Sequence, residues 1–180
     1  MKSRAPLFNG FLMLLVLAVA AGCGTTEERQ RRKEKSTIRI HAEADGRGDL
    51  SSAISVIRSA PVLLNIEREP LLDEHNVEAA TVEEQRGGFV IRVKFDRQGS
   101  WILERATVVH RGRRLAIHGH FGSARWLAAP LVTGKNSTGE IVFTPDCTRE
   151  EAERMVRGLN NTARKLKRKE NWPFPSSVDK

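Results

Sequence analysis

The segment from Thr148 to Leu166 constrains the fold more than any other stretch of the chain. Thr148-x-x-Glu151 has the spacing of a capping box, in which each side chain satisfies an orphan backbone N–H at the start of a helix. Ala152, Met155, Val156, Leu159, Ala163 and Leu166 then recur at helical spacing, with Arg154, Arg157, Arg164 and Lys165 on the other side. A helix with one apolar stripe draws its stability from whatever that stripe covers. The expectation is that Met155 and Leu159 pack on a sheet while Arg157 and Arg164 face water.

The preceding sequence supplies the strands. Ile38, Ile40, Ala42 and Ala44 alternate with Arg39, His41 and Glu43, the period of a half-buried strand. Asp45-Gly46-Arg47-Gly48-Asp49 is a turn signal, followed by extended segments at Ala53–Arg58 and Ala60–Ile66. Asp73–Asn76 reads as a helical turn before an extended Ala79–Glu84. Gly87-Gly88 breaks the chain as a hairpin does, and Phe89, Ile91, Val93 and Phe95 alternate after it. Asp96–His110 reads as a helix with Trp101, Ile102, Arg105, Val108 and Val109 near one side, and Trp101 and Trp126 as core or rim residues. Arg111-Gly112 turns the chain into extended segments at Arg114–Gly119, Trp126–Val132 and Glu140–Thr144. The fold class is therefore α+β, an antiparallel or mixed sheet covered by two helices.

The N-terminus reads as a leader. Lys2 and Arg4 precede an uncharged apolar run, Phe11–Ala21, which is too short for the roughly 20 residues of a membrane span. The run ends in Val19-Ala20-Ala21-Gly22-Cys23, which resembles the lipobox of bacterial lipoproteins. That resemblance implies cleavage of residues 1–22 and lipidation of Cys23. Membrane lipid is then a partner through acylated Cys23, since two or three acyl chains anchor stably. Gly24 in place of aspartate favours the outer membrane by the same resemblance. Residues 23–36 hold Glu27, Glu28, Arg29, Arg31, Arg32, Lys33, Glu34 and Lys35 without a large apolar residue, and are read as a charged, flexible, solvated tether. Residues 37–169 make one domain, and residues 170–180, with Pro173 and Pro175, a disordered tail.

Charge narrows the partners. The chain has 30 basic against 22 acidic residues and stays basic without Lys2 and Arg4. On an exported, membrane-tethered protein such a surface meets anionic lipid or lipopolysaccharide phosphates; export argues against nucleic acid. With Cys23 lipidated, Cys147 has no intramolecular partner, and its reading is an unreactive small side chain.

No pattern of an enzyme is present. There is no G-x-S-x-G, no H-E-x-x-H and no phosphate loop. His118 and His120 share one strand face, but two ligands fall short of the three or four of a zinc site, and His41, His75 and His110 are scattered. Glu150 and Glu151 belong to the helix start. No catalytic residue, metal or cofactor is assigned.

From Asn65 to Asn161 the order of motifs resembles the periplasmic head subdomain of the protein-export membrane protein SecD and the fused SecDF. The resemblance rests on Asn76-Val77-Glu78-Ala79-Ala80, Val93-Lys94-Phe95-Asp96-Arg97-Gln98-Gly99, Arg113-Arg114-Leu115-Ala116-Ile117, Leu127-Ala128-Ala129-Pro130-Leu131, Phe143-Thr144-Pro145, Arg149-Glu150-Glu151-Ala152 and Leu159-Asn160. It departs at His118-Gly119-His120, where the family often has an aspartate-glycine turn. It implies the head fold and a capacity to hold extended polypeptide at a sheet edge, without the proton-coupled transport of the family's membrane helices. The functional expectation is a non-enzymatic binding or structural module of the cell envelope, facing a polypeptide or envelope protein. An accessory role in protein export is the alternative.

Overall fold

The computed structural model describes residues 26–44, 51–57 and 60–170. The lipobox with Cys23, the turn at 45–49 and the tail beyond 170 lie outside the described residues.

Helix α1, Thr26–Lys33, falls in the stretch read as a flexible tether. None of its residues is buried, and the stretch is helical. Glu27 and Glu28 sit in its first turn and Arg31, Arg32 and Lys33 in its last, the arrangement that complements the helix dipole and sets opposite charges four apart. Eight residues of helix span about 12 Å, far less than the same residues extended.

From Lys33 onward the chain forms one unit. Its strands are β1 (Thr37–Ala42), β2 (Ser51–Val56), β3 (Val62–Glu67), β4 (Leu72–Asp73), β5 (Val77–Gln85), β6 (Gly88–Phe95), β7 (Leu115–His120), β8 (Ala124–Ala128) and β9 (Glu140–Phe143), with helices α2 (Arg97–Val109) and α3 (Arg149–Glu170). The fold is α+β as expected, with three antiparallel sheets among the described residues: β4-β1-β7-β8, β5-β6-β9 and the hairpin β2-β3. Asp73 caps the 3-10 turn Glu74–Asn76, and Asp96 caps α2 by accepting from the N–H of Gly99 at 2.7 Å. Gly87 turns β5 into β6 with φ +85°, a conformation that favours glycine. The extended segment expected to reach Val132 ends as a strand at Ala128, ahead of Pro130, which has no N–H to give a ladder.

The main core lies between the two larger sheets and the helices. Ile38, Ile40, Ile117 and Leu127 meet Ile91, Val93 and Phe95, with Leu103 from α2 and Ala152, Met155 and Leu159 from α3. Met155 and Leu159 are buried as expected. Arg157 is not simply solvated: its Nε donates to Glu34 Oε2 at 3.2 Å. Asn161 Nδ2 donates to the Glu34 carbonyl at 3.1 Å, and Ser36 is buried against α3 at Gly158, where an added Cβ would sit 2.7 Å from the Ser36 nitrogen. The last residues read as tether are thus part of the packed body. Gly119 plays the same role in β7, since a Cβ there would meet Leu127 and Met155.

The face of α2 is reversed from expectation. Gly99, Leu103, Ala106 and Thr107 are buried, while Trp101, Val108 and Val109 face solvent. The smaller residues let α2 approach closely: a Cβ on Gly99 would lie 2.8 Å from the Cβ of Asn76 and 2.9 Å from that of Phe95.

Candidate functional site

Strand β9 forms one edge of its sheet, paired to β6 alone. Backbone groups of an antiparallel strand point alternately toward and away from the partner. The Gly139 carbonyl accepts from the Phe95 N–H at 2.9 Å and so faces β6. Glu140 faces the other way: its carbonyl accepts from Asn136 Nδ2 at 2.7 Å and its N–H donates to Thr138 Oγ1 at 3.3 Å. By that alternation Ile141 and Phe143 pair with β6, and the N–H and C=O of Val142 point outward, with no partner among the described residues.

The open edge faces a cleft of mixed polarity. Beyond β9 the chain joins the other sheet, where the Asp146 N–H donates to the Leu127 carbonyl at 2.8 Å. Ala128 of β8 and Val142 and Phe143 of β9 line one recess. Between them lies a cleft of about 410 Å³ lined by Ile57, Gln85, Val90, Ala128, Ala129, Pro130, Val142, Phe143 and Thr144. A second recess of about 180 Å³ continues past Pro130, Leu131 and Val132 along the same edge of β9. Leu131 and Val142 are 50% and 41% exposed, so apolar surface flanks the unpaired backbone. Ile57, which lines the cleft, holds φ +67°, a left-handed conformation costly for a β-branched residue. Across the sheet, Arg92 donates to Glu83 at 2.6 Å and to Glu140 at 2.8 Å, tying β5, β6 and β9 together. Those two bonds hold the Arg92 guanidinium well above its ordinary value, and the bond to Arg92 lowers Glu83.

The histidines are arranged differently from the sequence reading. His118 and His120 lie in strand β7, and His41, read as scattered from them, lies beside it in β1. Arg39 pairs with His118 and His41 with Ala116, so His41 and His118 are diagonal neighbours on one face. Trp126 stands against both, its ring 5.4 Å from His41 and 5.0 Å from His118. The hairpin β2-β3 covers this face with a second core of Val56, Leu64 and Ile66 on Ala116 and Ala129, and His41 Nδ1 donates to the Glu67 carbonyl at 2.9 Å. Burial pushes the pKa of both imidazoles down, and for His118 the neighbouring His41, Arg39 and His120 add to it. No group of three or more His, Cys, Asp or Glu able to hold a metal occurs among the described residues.

The capping box forms as expected: the Thr148 N–H donates to Glu151 Oε2 at 2.9 Å and the Glu151 N–H to Thr148 Oγ1 at 3.3 Å. Glu151 also binds Arg125, and Glu150 is exposed. Cys147 is half-buried against the main core.

No family model and no curated protein matches the sequence. Solved structures do. One, described as the structure and function of a membrane component SecDF that enhances protein export, superposes with a TM-score of 0.54 at 15% identity, over 78% of this chain and 70% of that one. A second, SecDF in a super-membrane-facing form, gives 0.53 at 16% identity over 76% of this chain. The fold resembles the periplasmic head of SecD. The chain spans only 21% of that second, longer protein, and at such identities the likeness is one of fold. Two of the segments that carry the resemblance in sequence, Leu127–Leu131 and Phe143-Thr144, contribute residues to the cleft and its continuation. No helix among the described residues is long and apolar enough to cross a membrane.

Proposed function

We propose that this protein is a non-enzymatic module of the bacterial cell envelope, lipid-anchored through Cys23, that holds extended polypeptide along the edge of β9. The observation that carries the reading is the outward-facing backbone of Val142 beside a cleft, with the exposed apolar side chains of Leu131 and Val142 next to it. An added strand pairs its main chain with such an edge and seats alternate side chains in the neighbouring recess. The geometry favours sequences with apolar residues at every second position. The anchor follows from the lipobox at Val19–Cys23. The outer membrane is its favoured location.

A second reading, an accessory role beside the export machinery, is favoured by the shared fold with SecDF, the first of whose structures is described as enhancing protein export. Co-purification of translocase subunits with the full chain supports it, and their absence removes it.

Val142→Pro tests the polypeptide reading. Its N–H faces away from β6, so proline removes the edge donor while sparing the β6 ladder. The measurement is fluorescence anisotropy of a labelled unstructured peptide with alternating valines, titrated with the full chain. The expected result is a loss of affinity of at least about tenfold, the worth of roughly 1.4 kcal/mol. Equal affinity, with an unchanged circular dichroism spectrum, removes the β9 edge as the site.

A further inference from the structure

Helix α2 carries a surface that nothing in the described residues covers. At about 100° per residue, Arg97, Trp101, Arg105, Val108 and Val109 fall within one arc, opposite the buried Gly99, Leu103, Ala106 and Thr107. Trp101 is 63% and Val109 66% exposed. The Arg105 guanidinium lies 5.8 Å from the centre of the Trp101 ring, and Arg111 follows in the turn after the helix. Arg97, Arg105 and Arg111 are exposed and make no ion pair among the described residues. The acid beside them, Glu104, is bound to Lys135 at 2.6 Å, so it does not offset their charge.

A tryptophan and two valines in water, flanked by arginines with no counter-charge, match the chemistry of one surface. At a bilayer interface the indole sits at headgroup level, the valines enter the acyl boundary, and long arginine side chains reach back to phosphates. Charge complementarity selects anionic lipid. We infer that the outer face of α2 rests on an anionic phospholipid bilayer. The cleft at β9 plays no part in this inference, and either can fail without the other.

The test uses the full chain on phosphatidylcholine vesicles with brominated acyl chains, with and without phosphatidylglycerol. Bromine quenches only an indole at the acyl boundary, and the difference between wild type and Trp101→Phe isolates the Trp101 signal, whatever else holds the chain to the vesicle. Trp101 is exposed, so the Phe variant keeps the fold, checked by circular dichroism. The expected result is quenching of the Trp101 component that grows with phosphatidylglycerol. The phosphatidylglycerol needed for half-maximal quenching should rise about fivefold for each of Arg97→Gln, Arg105→Gln and Arg111→Gln, the equivalent of ~1 kcal/mol per charge. A Trp101 component untouched by bromine overturns the inference. So does quenching indifferent to all three arginines. Self-association lost in Trp101→Phe, with no quenching, assigns the face to a second copy instead.

Discussion

Asn160 on α3 grips Ala80 on β5 with both ends of its amide: the Ala80 N–H donates to Oδ1 at 2.8 Å and Nδ2 donates to the Ala80 carbonyl at 2.9 Å. A side chain here completes the edge of a sheet as another strand would. Removing it leaves two backbone groups unpaired under a helix, at about 1–3 kcal/mol for each buried group. Asn160→Ala is therefore expected to lower the melting temperature clearly, and Asn160→Asp to do so too because it loses the donor. Thermal unfolding of both variants checks this; an unchanged midpoint in both contradicts it.

Leu159→Ala and Arg157→Ala separate the two sides of α3. Leu159 is fully buried, and truncation should cost about 2–5 kcal/mol through lost transfer energy and the cavity left behind. Arg157 is half-exposed and bound to Glu34, a pair worth at most about 1 kcal/mol. Denaturant titration should show a large drop for the first and a small one for the second. Equal, small effects would mean that α3 covers no core.

The imidazoles of His41 and His118 give the body a pH dependence. Burial lowers both pKa values in the folded state, so near pH 6.5 the unfolded chain binds more protons than the folded one. Stability then rises with pH across this range: it is fully present above about 6.5 and is lost as pH falls from there toward the lower folded values. The hairpin β2-β3, whose Glu67 carbonyl accepts from His41, should loosen first. Melting temperature against pH checks this, and His118→Gln should flatten part of the slope. A wild-type profile that is flat between pH 7 and 5 contradicts it.

The anchor has its own test. Cys23→Ser should abolish incorporation of a labelled fatty acid and leave an unprocessed or soluble form. Label retained in the variant would falsify lipidation at this residue.

What could be read from residue order and what could not divide along physical lines. Met155 and Leu159 were legible because a long helix repeats its period six times over, and the caps Thr148 and Glu151 were legible because a cap is local. The face of α2 was not. Trp101, Val108 and Val109 outweigh Leu103, Ala106 and Gly99 in apolar content, yet close packing on Asn76 and Phe95 rewards small side chains at the contact. Helicity of Thr26–Lys33 lay in its charge placement rather than in any apolar signal. His41 and His118 lie far apart in sequence, and only the register of β1 on β7 sets them beside Trp126. The cleft was the least legible part. Its segments at Leu127–Leu131 and Phe143-Thr144 stood out as motifs, but which strand is left as an edge depends on pairings made across the whole chain.

Amide hydrogen exchange at Val142 tests the central claim most directly. In the free protein its N–H faces away from β6, so it should exchange much faster than the amides of Ile141 and Phe143, which pair with that strand. Saturation with the alternating-valine peptide should slow Val142 by at least about tenfold, as an edge donor gains a strand partner, and leave Ile141 and Phe143 unchanged. Exchange at Val142 that is equally fast with bound peptide contradicts pairing at β9.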